Sequence, residues 1–140
     1  RLLDTSLTNY NVDLQFDSPT NNIPHNFGFA VSANNTIFDM INLPNISRQF
    51  FIFGTNNWEI WYINIGNNGG IGRDIGNINN AIAIGSNTIS ANISNINTTF
   101  YVNNKEVVSI ANNITENNSF YITNEDRGTE SITITDIRFY

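Results

Sequence analysis

Two tryptophans three residues apart are the side chains in this sequence best suited to hold a ligand. Trp58 and Trp61 lie in the segment FFIFGTNNWEIWYINIG, residues 50–66. If the segment is a strand, Trp58 shares one face with Tyr62 and Asn64, and Trp61 lies on the opposite face. The Trp61 face also carries two isoleucines and is the more apolar. The pattern therefore predicts that this face packs in the core and leaves the Trp58 face at the surface.

The predicted surface group of Trp58, Tyr62 and Asn64 has the chemistry of sugar recognition. An aromatic ring stacks on the C–H face of a pyranose, and a side-chain amide both donates to and accepts from hydroxyl groups. Two structural alternatives also explain aromatic residues on both faces of one strand. Either long loops cover the strand, or its outer face packs against identical copies in a homo-oligomer.

A glycine-rich segment, GNNGGIGRDIGN at residues 66–77, follows the tryptophans. Its glycines do not match the G-x-G-x-x-G fingerprint that opens a helix, which argues against a nucleotide cradle. The segment is predicted to be a long loop joining two strands. The functional alternative is a binding loop in which Arg73 and Asp74 supply charged hydrogen bonds, while the glycines let the backbone approach a ligand closely.

Residues that bind metals are scarce. The chain has no cysteine and one histidine, His25, which argues against zinc, copper and iron. Calcium needs only oxygen ligands, and Glu125, Asp126 and Glu130 cluster in NEDRGTE, residues 124–130. The cluster is predicted to be a solvated acidic turn, so no cofactor is expected, with calcium as the alternative. His25 is predicted to be an ordinary loop residue, with ligand contact as its alternative.

Length and charge narrow the classes of function. The 140 residues suit one domain spanning 1–140, and the absence of a charged-then-apolar leader after Arg1 predicts a piece of a longer protein. A net charge of −6 argues against nucleic acid and anionic membrane surfaces as partners. No apolar run reaches the roughly 20 residues that span a bilayer, so membrane insertion is not expected.

Short stretches of alternating apolar and polar residues recur along the chain, separated by turns rich in asparagine and glycine. This spacing predicts half-buried strands, and no stretch keeps apolar residues at helical spacing over three turns. The predicted strands are 12–16, 27–31, 36–42, 50–55, 58–65, 81–84, 88–93, 98–102, 106–110, 119–123 and 132–139. The fold class expected from this pattern is all-β, an antiparallel sandwich or barrel.

The clearest local motif is a hairpin in TTFYVNNKEVVSI, residues 98–110. Asn103 and Asn104 stand between the two strands, and asparagine tolerates the positive φ angles of tight hairpin turns. The motif resembles the YVNGK hairpin of laminin-G-like and other concanavalin A-like jelly rolls, with Asn104 where glycine is usual. The final segment SITITDIRFY, residues 131–140, resembles the last strand of such domains.

The resemblance implies two antiparallel sheets packed face to face, with a ligand on the concave side of one sheet or in the loops along one edge. Many such domains bind carbohydrates, and others serve as spacers or protein contacts in adhesins, toxins and phage tail proteins. Some relatives are glycoside hydrolases with an E-x-D-x-E set of carboxylates on one strand. Here the corresponding strand offers Glu59 alone, without a second carboxylate at i+2 or i+4.

The sequence therefore predicts a non-catalytic carbohydrate-binding domain of an adhesin or virion-displayed protein, outside the cell or on the virion surface. Its partner would be a glycan or cell-surface polysaccharide, bound through Trp58, Tyr62, Asn64 and loop residues. The first alternative is a structural or oligomerising module of a tail fibre or adhesin. The second alternative is a glycoside hydrolase.

Overall fold

The computed structural model describes residues 3–5, 9–21, 26–32, 47–53, 57–64, 70–77, 82–94, 96–111, 118–125 and 132–140. Within these ranges, side chains are described for 9–21, 75–77, 82–94, 96–110 and 132–140, together with Gly28, Trp58 and Ile122. The strands are β1 Leu3–Thr5, β2 Tyr10–Ser18, β3 Asn26–Ser32, β4 Ser47–Phe53, β5 Asn57–Asn64, β6 Gly70–Asn77, β7 Gly85–Ile93, β8 Asn97–Val102, β9 Lys105–Ala111, β10 Asn118–Glu125 and β11 Thr133–Phe139. No helix in these ranges has the length and apolar character needed to cross a membrane.

The strands form two antiparallel sheets. The six-stranded sheet has the order β1-β10-β3-β4-β5-β6, and the five-stranded sheet has the order β11-β2-β7-β8-β9. Several neighbours in each sheet are distant in the chain, such as β10 beside β3 and β2 beside β7. The all-β antiparallel sandwich predicted from alternation is confirmed. The predicted strand at 36–42 lies outside the described residues.

The core lies between the sheets and is best defined on the five-stranded side. Burial along β2 and β7 alternates, as expected for strands with one face covered. The largest fully buried side chains come from β2, β7 and β8, and they are Phe16, Phe100, Leu14, Ile89, Ile93 and Val12. The predicted half-buried strand over 12–16 is therefore confirmed.

The predicted hairpin joins β8 to β9. Asn103 and Asn104 have φ angles of 48° and 65°, the left-handed region that a two-residue turn of this kind requires. The Asn103 side chain also ties the turn to the next strand, because its Oδ1 accepts from the Thr88 N–H at 2.8 Å and its Nδ2 donates to Asn87 Oδ1 at 3.0 Å. The hairpin prediction is confirmed. The link between the Asn103 side chain and β7 was not predicted from the sequence.

The side chain of Asn87 bonds to the backbone where the sequence predicts a strand over 81–84. Its side chain is 2% exposed, and its Oδ1 accepts from the Ala83 N–H at 2.8 Å. Its Nδ2 donates to the carbonyls of Ala83 and Gly85, at 2.8 and 3.0 Å. Residues 82–84 are not part of a strand. The prediction is wrong for them, since the backbone of Ala83 bonds to a side-chain amide rather than to a neighbouring strand.

Residues 70–77 of the glycine-rich segment form the edge strand β6, which corrects the prediction of a loop for this part of 66–77. Residues 66–69 lie outside the described residues. Gly76 pairs with Trp58 across β5 and β6. A Cβ added at Gly76 would overlap the indole of Trp58, so the indole lies directly against the β6 backbone. An aromatic side chain laid over a cross-strand glycine compensates for the side chain that glycine lacks.

Gly76→Ala is expected to lower the free energy of unfolding by about 1–3 kcal/mol, the usual cost of overpacking, because the new methyl group displaces the indole. Denaturant titration of both proteins measures the loss. In a Trp58→Leu background the same substitution is expected to cost much less, because the smaller side chain leaves space for the methyl group. An equal cost in both backgrounds would show that the indole does not lie against Gly76.

Tyr10 brings a polar atom into the core. Its side chain is 6% exposed, and its hydroxyl has no hydrogen-bond partner among the described residues. Burial raises the pKa of the Tyr10 phenol well above its ordinary value of 10.0, because the phenolate would lose its hydration. An unpaired buried hydroxyl costs stability rather than adding to it.

Tyr10→Phe is therefore expected to leave stability at pH 7 unchanged or to raise it by about 1 kcal/mol. Above pH 10 the unfolded wild-type chain releases the Tyr10 proton while the folded chain retains it. The wild type should then lose about 1.4 kcal/mol per pH unit relative to the variant. Unfolding titrations of both proteins at pH 7, 10 and 11 measure the difference. A clear loss of stability in the variant at pH 7 would indicate that the hydroxyl has a partner.

Candidate functional site

Trp58 belongs to the core side of the six-stranded sheet. It is half-buried and packs against the buried cluster formed by β2, β7 and β8. The prediction that its face of the strand lies at the surface is therefore wrong. The sequence favoured the Trp61 face as the core because two isoleucines accompany it. The glycine backbone of β6 instead leaves space for the indole of Trp58 to pack on the inner face.

A second residue supports the same orientation of the sheet. Ile122 on β10 is also half-buried and also packs against the core cluster. Residues that pair directly across antiparallel strands occupy the same face. The pairing runs from Ile122 to Phe29, from Phe29 to Phe50, and from Phe50 to Ile60, two residues after Trp58. Trp58 on β5 and Ile122 on β10 therefore identify the same face of the sheet as the inner one.

The opposite, outer face of the six-stranded sheet carries Trp61 on β5, the strand next to the edge strand β6. Trp61 pairs with Gln49 on β4 and with Arg73 on β6. The row continues through Ala30 on β3 to Tyr121 on β10. This row, called the Trp61 row below, crosses five strands. It combines two aromatic residues, an amide and a guanidinium group at consecutive register positions.

Ile75 shows that the outer face is open at the β6 edge. It lies two residues from Arg73, at an outer-face position paired with Glu59, and it is 51% exposed. A large apolar side chain with half of its surface exposed at a sheet edge is available for contact with a ligand or another chain.

The predicted site residues are divided between the two faces. Tyr62 and Asn64 pair with Gly72 and Gly70, at positions on the same face as Trp58. Asp74 pairs with Ile60, which also places it at an inner-face position. Arg73 alone of these candidates occupies the outer face. Their side chains lie outside the described residues, so their roles in binding stay predictions.

The remaining candidates are less well defined. His25, Asp126 and Glu130 lie outside the described residues. Glu125 ends β10, where its backbone pairs with Asn26. Among the side chains that the structure describes, no group of three or more carboxylates, histidines or cysteines is placed to hold a metal ion. The calcium alternative therefore stays a prediction.

Glu59 lies on the outer face without a second carboxylate at any neighbouring register position of the described strands. Its direct partners are Phe51 and Ile75. The nearest positions along its own strand on the same face are Asn57 and Trp61. A retaining glycosidase holds its two carboxyl groups about 5–5.5 Å apart on either side of the scissile bond. The described register offers Glu59 no such partner.

Sequence reasoning missed Trp61 and Gln49 as candidates. Alternation separated the two faces of β5, but the isoleucines beside Trp61 favoured the wrong face. A usable signal was the placement of glycines at 70, 72 and 76, every one of them at a position that pairs with the Trp58 face of β5. Glycines on one face of an edge strand mark the side where a large aromatic residue lies against the backbone.

Comparison with known proteins identifies the fold of this chain but not a family to which it belongs. No model of a protein family and no curated protein matches the chain. Sheep galectin-11, solved in complex with glycerol, is similar over 99% of this chain and 95% of its own, with 12% identity and a TM-score of 0.64. A glycoside hydrolase family 16 endo-glucanase from Bacteroides ovatus, in complex with G4G3G-2F-DNP, is similar over 97% of this chain and 71% of its own, with 11% identity and a TM-score of 0.68. A protein of unknown function from Saccharomyces cerevisiae is similar over 99% and 71%, with 7% identity and a TM-score of 0.61. At these identities the likeness shows the fold alone, and that fold is an antiparallel β-sandwich of the concanavalin A-like jelly-roll type.

Proposed function

We propose that this chain is a non-catalytic carbohydrate-binding domain whose site is the outer face of the six-stranded sheet. The observation that carries the proposal is the inward packing of Trp58, which gives Trp61 the outer-face position between Gln49 and Arg73. An indole supplies a stacking surface for the C–H groups of a sugar, and the flanking amide and guanidinium groups supply donors for its hydroxyls.

The structural neighbours support a sugar as the ligand class. Two of the similar structures are a galectin and an endo-glucanase, the second in complex with G4G3G-2F-DNP. Fold alone does not assign a function, so this support is secondary to the residues of the Trp61 row. Binding without hydrolysis is favoured because Glu59 lacks a second carboxylate at the neighbouring register positions.

The proposal extends to the setting in which the domain works. We place it in an adhesin or a virion-displayed protein, outside the cell or on the virion surface, with a glycan or cell-surface polysaccharide as partner. The support is the resemblance of the hairpin at Asn103 and Asn104 and of the final strand to domains of that kind. Binding in this setting requires no cofactor.

An oligomerising module is the second candidate function, and Ile75 favours it. This side chain is 51% exposed on the outer face, which also carries the positions of Phe51 and Ile71. Glu59 separates Ile75 from Phe51, and Arg73 separates it from Ile71. Apolar positions on an outer face also fit the surface between identical copies. In that case Trp61 would be covered by a second copy instead of a sugar.

The two tryptophans allow each ring to be observed separately. Trp58→Phe leaves Trp61 as the only indole in the chain, and Trp61→Phe leaves Trp58. An array of immobilised oligosaccharides first identifies a glycan that binds. In the variant with Trp61 alone, emission is expected at long wavelength, as for a solvated indole, and it should change when the free form of that glycan is added. With Trp58 alone, emission is expected at shorter wavelength and should not respond to the glycan.

Trp61→Ala is expected to weaken glycan binding about tenfold or more, the loss of roughly 1.4 kcal/mol of stacking. The matched control, Trp58→Phe, should change stability more than affinity. Addition of EDTA should leave the affinity unchanged, and the oligosaccharide should be recovered uncleaved. The recognition function is wrong if no oligosaccharide on the array binds. A concentration-dependent mass that Trp61→Ala reduces to that of the monomer would instead establish the oligomerising module.

A further inference from the structure

The outer face of the five-stranded sheet carries a second set of polar and aromatic side chains. We call it the polar face, defined by Asn11, Asp13, Ser90, Asn92, Tyr101 and Tyr140. Because the two sheets pack against each other through the core, this face lies on the opposite side of the sandwich from the Trp61 row. The polar face plays no part in the function proposed above.

The polar face consists of two neighbouring rows of register partners. In one row Asp13 pairs with Ser90, and Ser90 pairs with Tyr101. In the other row Asn11 pairs with Asn92. Tyr140 extends this second row, because two backbone hydrogen bonds of 2.7 and 3.0 Å join it to Asn11. Strands lie about 4.8 Å apart, so these side chains stand next to one another.

Lateral hydrogen bonds fix the side chains of the polar face. Asn92 Nδ2 donates to Asn11 Oδ1 at 2.7 Å, and the Tyr140 hydroxyl donates to Asp13 Oδ2 at 3.0 Å. The bond to Asp13 raises the pKa of the Tyr140 phenol above its ordinary value, because only the protonated hydroxyl can donate to the carboxylate. A surface that is already ordered loses little conformational entropy when a ligand binds.

The same bonds leave one donor and two acceptors on neighbouring residues. Among the side chains that the structure describes, Asn11 Nδ2, Asn92 Oδ1 and Asp13 Oδ1 have no hydrogen-bond partner. A sugar hydroxyl both donates and accepts, so it is complementary to adjacent groups of this kind. A simple anion lacks the donor that the two oxygens require.

Aromatic rings flank these polar groups on both sides. Tyr140 is 63% exposed, and Tyr101 is half-buried. Two long charged side chains, Arg138 and Glu106, lie at the ends of the row, where they pair with Asp13 and Tyr101. The Arg138 guanidinium lies 3.8 Å from the Asp136 carboxylate. The middle of the face therefore holds short amides, hydroxyls and the Asp13 carboxylate between two phenol rings.

We propose that the polar face is a second carbohydrate-binding surface, specific for neutral oligosaccharides. A ring of the sugar stacks on the exposed phenol of Tyr140, and its hydroxyls bond to Asn11, Asn92 and Asp13. The carboxylate of Asp13 and the net charge of −6 disfavour uronic and sialic acids. A domain with one sugar site on each outer face is bivalent as a monomer.

The test uses the whole chain labelled with ¹⁵N and three neutral probes, namely linear β-linked tetraoses of glucose, mannose and galactose. Titration with the probe that binds is expected to shift the side-chain amide signals of Asn11 and Asn92. Tyr140→Ala should weaken this response about tenfold, whereas Tyr140→Phe should retain most of it. Both substitutions are at an exposed residue, and the unchanged backbone spectrum serves as the control for folding.

Trp61→Ala separates the two surfaces. In this variant the Asn11 and Asn92 signals are expected to respond as in the wild type, even where binding to the Trp61 row is lost. The proposal is overturned if none of the three tetraoses shifts these signals at millimolar concentration, or if the response survives Tyr140→Ala. It is also overturned if light scattering shows a dimer that Tyr140→Ala dissociates, because the face would then bind a second copy.

Discussion

The packing of one indole against one glycine determines how this sandwich is arranged. Trp58 lies over Gly76 on the edge strand β6 and contacts the core cluster, which fixes the inner face of the six-stranded sheet. Every other position in that sheet then follows from strand alternation and register. Because Trp58 is inside, Trp61 occupies the outer face. The same contact explains why a strand with three glycines holds its place at the edge of the sheet.

Asparagine side chains form several of the hydrogen bonds that join strands, loops and turns in this protein. It supplies 28 of the 140 residues. Asn87 and Asn103 bond to each other and to the backbone, and they join the loop before β7 to the turn between β8 and β9. Asn11 and Asn92 bond across two strands on an outer face. An amide carries a donor and an acceptor on one short side chain, so it serves equally in turns and in lateral pairs.

The two outer faces have different chemistry. The six-stranded sheet places Trp61 between an amide and a guanidinium group, with the apolar Ile75 nearby at the edge. The five-stranded sheet presents short amides and hydroxyls that are already hydrogen-bonded to one another, between two tyrosines. Under the two proposals, the stacking surface is an indole on the first face and a phenol beside hydrogen-bonded amides on the second.

The sequence by itself determined the features that depend on neighbours in the chain. Alternation at Val12, Leu14 and Phe16 established a half-buried strand, since each side chain's face depends only on its position along the backbone. Asn103 and Asn104 established the hairpin because the turn needs positive φ at both residues. Tertiary structure decided the rest. Alternation divides β5 into two faces but does not decide which of them is inner, and the packing of Trp58 against the core cluster places it inside and Trp61 outside. Glycines at 70, 72 and 76 form a strand because β5 pairs with them, and residues 82–84 do not, since the Asn87 amide bonds to the backbone of Ala83. The first outcome depends on a partner that local sequence does not specify. The second depends on an amide only four residues along the chain, which apolar–polar alternation does not reveal.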